Sequence, residues 1–506
     1  MIYCCHDLVE YRHLFVMVIV LGIGGTFQYG FHIHSPSVFI KDFINHTWIN
    51  HYQSPIEDNT LMLIWSFIIS SYCIGGFLGS IMTGYFTSKY GSKKCLLYSD
   101  VIPMVAAVLA GCSSLAWSYE MILVGKFLYG VNAGLGYCFH SKYAGEIAPK
   151  SLRGFINTSI SLSLVSGRVV GQFVGLREIF GTEQLWPVIM SLSGFWALIQ
   201  LITLPFFPES PSYLLMKGDQ KGCEKALNLL WGKRDHQAAI DEMLKEKAAK
   251  SGTQRVTALQ LLQDPSERCQ IYTLIVLAIS IQFCGINLMY FYAMEVFKSA
   301  GFSETKIPYL TLGMGLCELV TVFICSLVVD RFGRRVVLLT GYTVMVWGFT
   351  FLVITISFQA QAVWISYCSV FLIFLFVISF AAGPGSTAVT VVVEIFSQKT
   401  RAPALELLGL INWLELFILT MIFPYLQASI GQFCFLIFLV VIAACAVYVY
   451  IFLPETKGKS WLEITKEFNK YNCRRKGKGE VLKPQEDIIV LSSKYGTVNM
   501  AMEHEE

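Results

Sequence analysis

Long apolar runs, separated by short polar intervals, recur from one end of this chain to the other. They fall near 14–34, 62–86, 95–116, 121–144, 155–176 and 186–206, and again near 271–293, 308–329, 336–357, 364–393, 404–427 and 432–453. Each is close to the roughly 20 residues a helix needs to cross about 30 Å of hydrocarbon. Spanning strands would instead alternate over about ten residues, whereas these runs are apolar on nearly every face. The pattern predicts an all-α membrane protein of twelve transmembrane helices in two six-helix bundles, 14–206 and 271–453. A 1–13 N-terminus, a 207–270 linker and a 454–506 tail flank them.

The polar intervals repeat. A glycine-centred basic turn, Lys89-Tyr-Gly91-Ser-Lys93-Lys94, returns as Arg331-Phe-Gly333-Arg334-Arg335. Glu146 precedes Arg153 by seven residues, and Glu394 precedes Arg401 by the same spacing. Pro208-Glu209-Ser210 returns as Pro454-Glu455-Thr456. The copies lie about half a chain apart, as a duplicated bundle requires, and such repeats are common in carriers. Glutamates at helix ends facing guanidinium groups can form ion pairs that make and break as bundles move. Glu146, Arg153, Glu209, Arg331, Arg334, Arg335, Glu394, Arg401 and Glu455 are therefore read as a latch.

Composition sharpens the picture. Hydrophobic residues make up 55% of the 506 and charged residues 14%, which argues against a soluble enzyme. Lys and Arg crowd alternate loops (Lys89, Lys93, Lys94, Lys150, Arg153, Arg331, Arg334, Arg335, Lys399, Arg401), so these loops and both termini are expected in the cytoplasm. The net charge of +3 follows from that topology, and nucleic acid is not expected as a partner. The bilayer is. The loop after the first run carries Asn45-His-Thr47, a glycosylation sequon on the expected outer side. Most of the 15 cysteines lie within apolar runs and read as small packing residues, while Cys4, Cys5 and Cys473 are acylation candidates. The interleaved charges and leucines of the linker predict amphipathic helices, and the Lys- and Arg-bearing tail predicts disorder and names no particular partner. Metal-ligand clusters, nucleotide loops and nucleophile–base arrangements are not found, so no cofactor and no enzyme activity are expected.

Gly145-Glu146-Ile-Ala-Pro-Lys-x-Leu-Arg153-Gly154, Pro208-Glu-Ser-Pro211, Asp330-Arg-x-Gly333-Arg-Arg335 and Pro454-Glu-Thr-Lys457-Gly458 resemble the sugar-porter branch of the major facilitator superfamily over about 14–460. Gly22-Ile-Gly-Gly-Thr-Phe-Gln28-Tyr-Gly30 and Gly313-x-Gly-x-Cys-Glu318 are similar to the class II facilitative hexose transporters, nearest to the member-eleven type. The resemblance implies a major facilitator fold and uniport of a hexose such as fructose or glucose by alternating access, in the plasma membrane. A neutral polyol needs amides that both donate and accept, beside an aromatic face. Gln282 and Asn287 around Gly285, Asn412 beside Trp413, and Gln28 on the first span offer this, and they match the family's sugar-contacting positions. Ser161 and Glu318 complete the substrate-binding set, with Tyr292 and Pro384 as gating residues.

Departures from the family open other readings. Ser161 and Ile281 stand where relatives carry glutamines, and the tenth-span prolines are reduced to Pro384. Lys126 replaces an arginine. Arg168, mid-span, needs a partner or a wet cavity at an insertion cost of about 2.5–3.5 kcal/mol. Glu318, Glu406 and Glu415 are its candidate partners, and left free it would favour an anionic, urate-like cargo. His32, where proton-coupled relatives place an aspartate, makes a proton-coupled carrier a second alternative. A solute sensor or scaffold that no longer translocates is a third.

Overall fold

The computed structural model describes residues 11–468 apart from 34–35, 150–151, 233–235, 242, 245–256, 329–331, 398 and 460–462. Eleven of the described helices are long and apolar enough to cross a membrane. They are the first to fourth spans, Arg12–Ile33, Asp58–Thr87, Ser92–Cys112 and Tyr119–Ile147; the sixth to eighth, Trp186–Phe206, Pro265–Phe291 and Ile307–Cys325; and the ninth to twelfth, Arg334–Phe358, Val363–Ile395, Arg401–Ile430 and Cys434–Phe452. The fifth expected span is also a helix, Arg153–Val174. Asn157, Arg168, Gln172 and four serines dilute its hydropathy, because much of its surface meets protein instead of lipid. With it the bundle has its twelve helices. Large apolar side chains such as Phe67, Trp347, Phe371 and Val440 remain exposed on the outward faces, as a hydrocarbon surround allows.

Packing follows the repeat. In the first half the second span lies against the fourth, the first against the fifth and the third against the sixth; in the second half the eighth lies against the tenth, the seventh against the eleventh and the ninth against the twelfth. Adding six to each number converts one list into the other. The two halves meet where the second span packs on the eleventh and the fifth on the eighth, a pair of contacts related by the same rule.

Among the described residues four spans are interrupted. The first breaks at Gly25, between helices Arg12–Gly24 and Thr26–Ile33. The third breaks at Asp100, between helices Ser92–Ser99 and Val101–Cys112. The seventh breaks at Gly285, whose φ of +84° suits glycine, and again at Tyr292, which isolates the short helix Ile286–Phe291. The tenth breaks at Gly383, because Pro384 has no N–H to continue the helix and starts a new one, Pro384–Ile395.

The linker forms Pro211–Met216, Gln220–Trp231 and Ala258–Gln263, and Gln220–Trp231 buries Cys223, Ala226, Leu227 and Leu230 on one face. One expectation needs correction: the sequon does not sit on a loop. Asn45 lies half-buried within helix Ser37–Tyr52, with Thr47 fully buried, because Ile40, Ile44 and Thr47 form the face that this helix packs inward. Cys4, Cys5 and Cys473 lie outside the described residues.

Candidate functional site

The break at Gly285 turns two amides toward one another. Asn287 Nδ2 donates to Gln282 Oε1 at 2.8 Å, Gln282 Nε2 donates to Asn412 Oδ1 at 3.2 Å, and Asn412 Nδ2 donates to the Leu408 carbonyl at 2.8 Å. Three residues chosen from the sequence thus form one hydrogen-bonded chain across the seventh and eleventh spans. Each such bond contributes about 0.5–1.5 kcal/mol net, weak enough to be exchanged for a ligand's hydroxyls.

Next to this chain is an aromatic wall shared by both halves. The Trp413 ring lies 5.1 Å from that of Tyr29 and 5.9 Å from that of Tyr72. It seats on Gly76, where a Cβ would stand 2.5 Å from the indole. Tyr29 is the neighbour of Gln28, whose Oε1 accepts from Asn132 Nδ2 at 3.0 Å. Gln28 Nε2 and Asn132 Oδ1 are buried and unbonded, which leaves one donor and one acceptor on this amide pair. Asn132, Tyr29 and Tyr72 were missed in the sequence. The signal for Asn132 was an amide inside a membrane span, masked by the packing glycines Gly130 and Gly134 around it. Ser161 is exposed on the fifth span, and no hydrogen bond among the described residues joins it to the amide chain.

Tyr292 is buried, donates its hydroxyl to the Thr420 carbonyl at 2.9 Å and packs on Phe423 at 5.0 Å. Above it, at the end away from the basic turns, a cavity of about 300 Å³ is lined by Lys41, Asp58, Trp65, Tyr292, Glu295 and Gln427 among others. Lys41 Nζ bonds Glu295 Oε1 at 2.7 Å across the halves. At the same end Tyr309 donates to Glu178, which holds that exposed carboxyl below its usual range.

Arg168 has found one of its candidate partners. Its Nη1 lies 2.5 Å from Glu318 Oε2, with both side chains about 5% exposed, and its guanidinium stacks on Tyr290 at 4.1 Å. Glu318, expected among the substrate contacts, is engaged by Arg168. His32 is buried, stacks on Tyr129 at 3.7 Å, and its carbonyl accepts from Lys126 Nζ at 3.2 Å.

The repeated charges work in pairs within each half. Glu455 accepts from the Arg334 and Arg335 backbone N–H groups at 2.8 and 3.2 Å, capping the ninth span, while Glu394 takes the Arg334 side chain at 3.1 Å. In the first half Glu209 accepts from the Lys93 N–H at 2.9 Å, capping the third span, and Glu146 accepts from Ser92 at 3.3 Å. Free N–H groups and the positive end of the helix dipole explain why a glutamate belongs there in both copies. Glu394 faces Arg334, and Arg401 Nε, seven residues on in the sequence, is buried without a hydrogen-bond partner. Arg331 lies outside the described residues, as does the side chain of Arg153.

Comparison with known proteins agrees with this architecture. The family model "Sugar (and other) transporter" matches residues 17–468. Solute carrier family 2, facilitated glucose transporter member 11 of Homo sapiens is 37% identical over 486 residues, 95% of this chain and 98% of that protein. Member 9 of Mus musculus is 37% identical over 91% of this chain and 86% of its own length, and member 5 of Ovis aries 37% over 90% and 91%. Among solved structures, the proton:xylose symporter XylE bound to 6-bromo-6-deoxy-D-glucose superposes with a TM-score of 0.71 at 22% identity, over 90% of this chain and 99% of that one. The inward open conformation of XylE from E. coli gives 0.73 at 21% identity, over 90% of this chain and 99% of that one. The shared fold is that of the major facilitator superfamily.

Proposed function

This chain belongs to the sugar transporter family, and from that premise we propose that it carries a hexose, fructose or glucose, downhill by alternating access, as a uniporter. The family is one of carriers, not enzymes, and the chain is a multi-pass membrane protein. In this reading the basic turns face the cytoplasm, the membrane is the plasma membrane, and the two halves rock about a central site made by Gln28, Gln282, Asn287, Asn412 and Trp413.

The observation that carries it is the chain Asn287–Gln282–Asn412 beside the Trp413 ring. Vicinal hydroxyls each donate and accept, so amides paired with one another can turn to them without leaving a buried polar atom unmatched. An aromatic face covers the apolar side of a pyranose ring. The capping glutamates keep each half rigid at the basic end, and the bonds joining the halves at the other end suit a carrier closed there. The Arg168–Glu318 pairing argues against a free cationic cavity for an anion.

Reconstituted protein loaded with unlabelled fructose or glucose should take up the labelled sugar by saturable counterflow that ignores an imposed proton gradient. Asn287→Ala should lower uptake about tenfold or more at subsaturating sugar, by loss of one or two bonds. Absence of saturable hexose flux from folded protein overturns the reading and leaves a sensor; a flux that follows the proton gradient replaces uniport with symport.

A further inference from the structure

Arg168 and Glu318 belong to different halves, on the fifth and eighth spans, yet meet at 2.5 Å in a nearly closed environment. Tyr290 donates its hydroxyl to the same carboxylate oxygen at 2.6 Å while its ring carries the guanidinium. That tyrosine lies on Ile286–Phe291, the short helix isolated by the breaks at Gly285 and Tyr292. Asn287 is on the same helix, three residues earlier and so on the adjoining turn.

We propose that Arg168 is a positioning residue that ties Glu318 and the short seventh-span helix to the opposite half, locking the end of the bundle away from the basic turns. This rests on the alternating-access reading above. Parting the halves at that end must separate two charges that are out of water, and an ion left buried alone is strongly unfavourable. Lys41–Glu295 is a quarter to a third exposed at each side chain, so solvent screens it and it holds far less. The buried pair therefore sets the closed state, and the more exposed pair follows it. Because Asn287 and Tyr290 share one rigid turn of helix, a solute that draws Asn287 toward itself also shifts the tyrosine that steadies the lock. The amide chain and the lock are two ends of one lever.

Cys73 provides the readout. It is fully buried between the second and eleventh spans, its Sγ 3.9 Å from Thr420 Oγ1, and a reagent arriving from the locked end reaches it only if the halves part there. In cells expressing the full chain, a membrane-impermeant maleimide is added from the side away from the basic turns, and Cys73 modification is followed by mass spectrometry against a Cys73→Ser control. Arg168→Leu, Glu318→Leu and the double leucine variant should each raise the rate about tenfold or more. The reversed pair, Arg168→Glu with Glu318→Arg, should return it toward the native rate, which a mere packing role would not do. Unchanged labelling in the double leucine variant, or no return in the reversed pair, overturns the proposal. The double variant buries no lone charge, so the test survives if the single variants fail to fold. No sugar is present in the assay, so a failure of hexose flux and a failure of the lock are separate results.

Discussion

Asn132 is the residue whose role rests most on structure. Its amide donates to Gln28 while its own oxygen stays unbonded, as does the Gln28 nitrogen. A buried amide atom without a partner costs about 1–3 kcal/mol, so the two spare atoms are open to a ligand's hydroxyls. Asn132→Leu, similar in size, should raise the KM for hexose roughly three- to tenfold with little change in the maximal rate. Counterflow kinetics on purified variants measures this, and an unchanged KM would remove Asn132 from the site. The contrast with Arg168 is instructive. The chain alone said that a mid-span guanidinium needs a partner, and Glu318 was among three carboxylates able to serve. Only folding decides which one, since the partners are 150 positions apart.

At the scale of the element, the spans, their order and most of their limits were legible, because roughly twenty apolar residues can do little else in a bilayer. The fifth span is the exception in degree: its polar residues look out of place until the helix is seen packed between two others. The helix Ser37–Tyr52 was read as loop, since its pattern is too short and mixed to announce itself. The duplicated glutamates stand out as a set in the sequence, but the N–H groups that Glu209 and Glu455 meet do not, because a backbone N–H leaves no trace there. Gly333 is the residue that admits this contact. A Cβ there would stand 2.4 Å from Glu455 Oε2, so Gly333→Ala should push the carboxylate off the ninth-span N–H groups and lower stability by about 1–2 kcal/mol, the usual worth of a lost cap. Gly91→Ala should cost more, since φ is +88° there and a Cβ would lie 2.9 Å from Glu209 Oε2. Fluorescence-detected thermal unfolding of both variants orders them. Equal melting temperatures to the native chain would mean the caps are slack.

The whole molecule is two copies of one bundle whose contacts with each other are unequal in depth. The buried contacts between the halves run along the second and eleventh spans, where Ser70 meets Met421 at 3.0 Å, Cys73 meets Thr420 and Trp413 closes on Gly76, and along the fifth and eighth, where the buried ion pair sits. Since glycine at 76 is what lets the indole through, a larger residue there acts as a wedge between the halves. Gly76→Val should hold the far end open: Cys73 labelling from that side should rise, net hexose flux should fall by an order of magnitude or more, and hexose binding to the purified protein should persist, because the Asn287–Gln282–Asn412 chain lies wholly in the second half. Loss of binding together with flux would instead mean that Trp413 must rest against the first half before any solute is held. In that case the closed arrangement would be the binding state itself.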